Sequence, residues 1–143
     1  MKVRTSIFLL TIIAAAISGC DLLESGTHWK SDKFEVGWTD IRSNSNLFYR
    51  MDNNADSVSI VTACVFAAGA NEQYIVVKQH PASDPATLNY YVLAKALYDP
   101  TERDHSESLA GPLTEEAYRE MATRLALPEL ESVISESECR GSA

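Results

Sequence analysis

The chain has 143 residues, a formal charge of −8 from 12 Lys and Arg against 20 Asp and Glu, and 45 % hydrophobic residues. That length is one domain's worth and is enough to bury a core. A chain so acidic lacks the clustered cations that neutralise phosphates, which excludes nucleic acid as a partner. It is also repelled by anionic lipid heads, so its own surface does not hold it to a membrane.

The chain begins Met1-Lys2-Val3-Arg4, and an apolar run from Ile7 to Ile17 follows, interrupted by Thr11. The run is too short to span a bilayer, which takes about 20 residues. A positive start, a short apolar stretch and small residues after it make a secretory pattern. The run closes on Ile17-Ser18-Gly19-Cys20. This resembles the lipobox of bacterial lipoproteins: an aliphatic residue, two small residues and a cysteine, with Ile17 where Leu is usual. The resemblance implies removal of residues 1–19 and diacylglycerol (with palmitate-like acyl chains) on Cys20. Two or three acyl chains anchor firmly where a single chain is marginal. The partner it implies is therefore the membrane, reached through the lipid on Cys20. The domain would face the periplasm or the exterior. Asp21 resembles the inner-membrane retention signal of enteric bacteria, which leans the choice of membrane toward the inner one.

Residues 20–32 (CDLLESGTHWKSD) read as a lipidated cysteine on a polar tether. A single domain is expected over 33–143. Within it Phe34, Val36 and Trp38 alternate with Glu35 and Gly37, which predicts a half-buried strand. Asn44–Asn46 signals a turn, Leu47–Met51 a second strand, and Asp52–Asp56 another turn. Ser57–Ala68 is the most apolar stretch and reads as one central strand. Gln73–Gln79 follows after a short loop, as the second half of a hairpin. Pro81–Pro85 makes a loop, and Leu88–Leu97 reads as a last strand.

Then the hydrophobic period lengthens to that of a helix. Thr114 is placed as an N-cap, Glu115 and Glu116 suit the positive helix end, and Tyr118, Met121, Ala122 and Leu125 form one apolar stripe. Pro128 stops the helix. The tail carries either a helical turn or a strand at Leu130–Ile134. Together these elements predict an α+β domain: an antiparallel β-sheet of about five strands with one C-terminal amphipathic helix packed on one face.

The residues Tyr74–Val77, Tyr90–Leu93 and Gly111–Pro128 also resemble a group of small bacterial lipoproteins. In these a tyrosine-led strand pair precedes a GPLteeeF motif and an amphipathic helix; Tyr118 stands at the Phe position. The resemblance implies architecture and no catalytic residue.

Cys64 and Cys139 remain once Cys20 is lipidated. In an oxidising compartment they would pair and tie the tail to the core. The alternative is a buried apolar Cys64 and a free thiol at Cys139. Among the histidines, His80 sits at a strand end, while His28 and His105 lie in polar segments. No GxSxG, HExxH or CxxC motif surrounds any of them. Asp52-Asn53-Asn54-Ala55-Asp56 offers oxygen ligands but lacks the Gly and distant Glu of an EF-hand loop. No metal, cofactor or catalytic residue is therefore assigned. Tyr90 and Tyr91 point to opposite faces of a strand, so one of them is a candidate for a binding surface.

The function expected is that of a non-enzymatic, membrane-anchored envelope lipoprotein that binds a protein or an envelope component. A periplasmic inhibitor or immunity protein against a basic toxin or lysozyme is a second reading, since an acidic face complements such partners. A small-molecule or lipid-binding module is a third.

Overall fold

The computed structural model describes residues 24–53 and 56–141. The described residues form two antiparallel sheets and two α-helices. Strands β1 (Ser25–Ser31), β2 (Phe34–Thr39), β3 (Asn46–Arg50) and β4 (Ser57–Val61) make the first sheet, in sequence order. Strands β5 (Val65–Ala70), β6 (Tyr74–Gln79), β7 (Asn89–Ala94), β8 (Leu109–Leu113) and β9 (Glu131–Ser132) make the second, in the order β8-β7-β6-β5-β9. Helix α1 (Glu115–Leu125) follows β8, and the short α2 (Glu136–Arg140) follows β9.

The α+β class stands, but there are two sheets where one was expected. The physical reason lies in the apolar run 57–68. It is not one strand. It leaves the first sheet after Val61, and Val65 opens the second. Thr62, Ala63 and Cys64 make the crossing, held by reciprocal backbone bonds between Cys64 and His80 at 2.7 and 3.0 Å. Two sheets joined this way bury a common core. Phe34, Val36, Leu47 and Val61 from one face Val65, Ala68, Ile75, Val77 and Leu93 from the other. The β5–β6 hairpin expected from a loop at 69–72 is present, with Ala70 opposite Ile75.

A second correction concerns the tether. Its second half is β1, paired with β2 from Ser25–Thr39 to Ser31–Phe34. The folded domain therefore starts by Ser25 and not at residue 33. Polar alternation hid this strand, because β1 is an edge strand whose residues are exposed or half-buried. Its ring contact, His28 against Trp38 at 6.4 Å, is made with the neighbouring strand. The strand expected to run to Leu97 ends at Ala94, and Lys95–Leu97 turn as a 3₁₀ helix.

Helix α1 follows its sequence signals closely. The Thr114 hydroxyl accepts from the Ala117 N–H, and Glu115 pairs with Arg119 at 2.5 Å. The stripe of Tyr118, Met121, Ala122 and Leu125 is half-buried, while the opposite positions are exposed. The helix ends at Ala126 in the left-handed conformation (φ 50°), two residues before Pro128. It packs on β7 and β8, away from the shared core, so the five-stranded sheet is covered on both faces. Gly69 on β5 leaves the backbone room that the tail needs. A Cβ there would collide with the Glu129 carbonyl oxygen.

The domain has two distinct ends. At one lie the start of β1, the β2–β3 loop (40–45), the crossing at 62–64, the β6–β7 loop (80–88) and α2. At the other lie the turn at 31–33, Asn71–Gln73 and the Lys95–Ser108 segment. Lys95 binds Asp32 at 3.0 Å there, and Phe34 meets Tyr98 with ring centroids 5.7 Å apart.

Candidate functional site

The first end carries a cleft. Cys64 and Cys139 bring their sulfurs to 1.96 Å, the pairing expected of the two cysteines. The bridge places α2 against β5 and beside a cleft of about 180 Å³ lined by Ile41, Ser43, Asn44, Ala63, Ala82 and Pro85. A wider, more polar groove of about 440 Å³ continues from it past Asn46, Thr62, Gln79 and Ser83. Asn44, Ala63 and Ala82 line both.

Local chemistry shapes each wall. Ser45 is fully buried, and its hydroxyl donates to the Val65 carbonyl at 2.5 Å while Val65 N–H donates to the Ser45 carbonyl at 2.8 Å. These bonds fasten the β2–β3 loop to the second sheet. Asp84 stiffens the facing loop. Its carboxylate accepts from the Thr87 hydroxyl at 2.5 Å and from the Ala86 N–H at 3.3 Å. The Thr87 hydroxyl, followed by the Ala86 and Thr87 N–H groups, holds Asp84 below the usual carboxylate range. Gln79, 4 % exposed, spends its amide on the Thr62 carbonyl at 2.9 Å and on Asn89 at 3.1 Å.

His80 lies directly beneath and is fully enclosed. Its Nδ1 meets the Thr87 carbonyl at 2.7 Å, its Nε2 meets Glu136 Oε1 at 2.9 Å, and its ring stacks on Phe66 at 4.9 Å. Both ring nitrogens are thereby engaged. This is a fastening for the tail, with no open face toward a substrate. His105 packs instead against Tyr98 at the far end, and His28 lies on β1. The three histidines are not brought together.

Among the described residues no ionised side chain lines the cleft, and a disulfide is no nucleophile. What the cleft offers is the hydroxyl of Ser43, the amide of Asn44 and apolar surface from Ile41 and Pro85. At about 180 Å³ it is smaller than the 300–1,000 Å³ typical of small-molecule sites. Ile41, 61 % exposed, stands at its rim.

The other residues singled out from the sequence fall elsewhere. Tyr90 is 3 % exposed beneath α1, stacked on Tyr118 with centroids 4.6 Å apart. Tyr91 packs on the opposite face against the shared core. Tyr90 is thus enclosed, while Tyr91 is only half-buried. In the 52–56 turn, Asn53 and Asp56 bind each other at 2.8 Å and Lys33 pairs with Asp52. Among the described residues no three His, Cys, Asp or Glu gather as a metal-binding group. Nor is any helix among them long and apolar enough to cross a membrane. Cys20 and the signal-peptide motif lie outside the described residues. The cleft residues went unnoticed in the sequence. The one signal was Ile41, a large aliphatic residue inside the polar run Asp40–Asn46.

Comparison of the chain with family models, with curated proteins and with solved structures finds no match.

Proposed function

We propose that the protein is a lipid-anchored envelope lipoprotein whose domain binds a protein or another envelope component without catalysing a reaction. The observation that carries this reading is the sequence Ile17-Ser18-Gly19-Cys20 closing a short apolar run behind Lys2 and Arg4. The Cys64–Cys139 pair supports it, because structural disulfides persist in oxidising compartments beyond the cytoplasm. The cleft supports a docking role over chemistry, since it holds hydrogen-bonding and apolar groups but no nucleophile with a base beside it.

The test is intact-mass analysis of protein isolated from membranes, with Cys20→Ala alongside. A mature chain starting at Cys20 and carrying acyl mass is expected. The variant should keep its full length and lose the acyl mass. An unprocessed, unacylated wild-type chain overturns the reading. The charge of −8 favours a basic partner such as a toxin or a lysozyme. Capture from envelope extract that weakens steeply between low and high salt is the outcome this second reading requires.

A further inference from the structure

We propose that the cleft end of the domain, with Ile41 at its rim, rests on the bilayer that carries the lipid on Cys20, and that the Lys95–Ser108 end points away from it. This rests on the lipoprotein reading and names the partner of the same site: a phospholipid surface.

The argument is one of reach. A tether running from Cys20 to Asp32 would span about 40 Å and leave the domain free to turn. The structure removes most of that length, because β1 begins at Ser25. Glu24 is itself pinned, its carbonyl accepting from the Asp40 N–H at 2.8 Å. Four residue steps separate Cys20 from Glu24, and fully extended they cover about 14 Å. A segment of that length keeps the Cys20 backbone within about 14 Å of Glu24, which is fastened beside Asp40 and its following residue Ile41. The six-residue strand β2 that leads back from this end is itself about 20 Å long. The leash is shorter than the strands, so the end from which it leaves is the end that meets the membrane.

The chemistry at that end is compatible with the contact. Ile41 is an exposed aliphatic side chain, and Ala82 and Pro85 face it across the cleft. Asp40 and Asp84 add negative charge and Arg42 offsets part of it, reaching Glu138 of α2 at 3.9 Å. Charge does not drive this contact; the covalent leash imposes it.

Ile41 and Leu97 are equally exposed, at 61 % each, and sit at opposite ends. They make a matched pair of reporters. A photoreactive benzoylphenylalanine is placed at either position in the full-length acylated chain, reconstituted on vesicles of phosphatidylethanolamine and phosphatidylglycerol. Lipid adducts at position 41 should exceed those at 97 by about tenfold. Equal adducts, or more at 97, overturn the orientation. Amide exchange of the unsubstituted acylated protein on the same vesicles gives a check free of folding defects. Residues 40–45 and 82–87 should exchange several-fold more slowly than in the Cys20→Ala chain, with 95–106 unchanged. Protection confined to 95–106 overturns it. Intact mass separates the two levels: an unacylated Cys20 sinks the lipoprotein reading and this one together. An acylated Cys20 with no preference for position 41 sinks the orientation alone.

Discussion

Nε2 of His80 lies 2.9 Å from Oε1 of Glu136, joining a fully enclosed ring at the end of β6 to a half-exposed carboxylate on α2. With the disulfide and the β5–β9 pairing, it is the third fastening of the C-terminal tail to the second sheet. Two of these fastenings respond to different perturbations.

The His80–Glu136 hydrogen bond responds to acid. The His80 hydrogen bond first, and Arg140 second, hold the Glu136 carboxyl below its ordinary value of 4.5. A carboxyl lowered in the folded state contributes stability above its unfolded value and loses it as pH falls through the folded one. As pH drops below 4.5, α2 is expected to loosen before the sheets do. Amide exchange over 136–140, corrected for intrinsic rates, should show this opening. Glu136→Gln should leave the region equally open on both sides of that window. Because Glu136 is half in solvent, the loss is local and small.

The disulfide responds to reductant. It closes a loop with a sequence separation of 75 residues, for which chain entropy gives about 4 kcal/mol. The Cys64→Ala/Cys139→Ala double variant should unfold in urea with a stability lower by about 2–4 kcal/mol. Limited proteolysis should then cut first after Arg140 or Arg124, as the tail detaches. A variant as stable as the parent would mean that β9 and His80 hold the tail unaided.

Tyr98 responds to alkali. It packs among Phe34, Tyr49 and His105, and its hydroxyl is buried with no hydrogen-bond partner among the described residues. Burial first, then Tyr49 and Asp99, push it up to about 12 from 10.0. A group raised in the folded state keeps its contribution below the unfolded value and loses it as pH climbs toward the folded one. Spectrophotometric titration should therefore find one tyrosine ionising near 12, with stability falling between pH 10 and 12. Tyr98→Phe should remove that late transition.

Tyr118 tests the seat of α1. None of the helix residues is fully buried, so the Tyr90–Tyr118 stack is its principal aromatic contact. Tyr118→Ala should cost about 1–2 kcal/mol, below the 3–5 of a fully enclosed aromatic. Tyr118→Phe should cost well under 1 kcal/mol. Thermal unfolding followed by circular dichroism measures both.

Strands β2, β3, β6 and the start of β7 were legible because each alternates over a half-buried face or fills a core run, and that period belongs to the residues themselves. Helix α1 was legible for the same reason, with Thr114 and the Tyr118–Leu125 stripe marking its start and its inner side. The break in the 57–68 run was not. Val61 and Val65 are equally apolar and equally buried, and nothing local marks that they belong to different sheets. Strand β1 was missed because polar edge strands and tethers share a composition. The cleft was invisible because Ile41, Ala63 and Pro85 come from three separate connections.

The sequence by itself determined the acidic balance, the expectation of export, the capped helix and most strand positions, since these depend on charge, composition and local period. Only the tertiary structure decided that there are two sheets, that Tyr90 is enclosed beneath α1, that Cys64 meets Cys139, and that Ser25–Ser31 form a strand. Each of these is a question of which distant segments share a neighbourhood. Such neighbourhoods are set by non-local burial and backbone pairing, which no window of the chain contains.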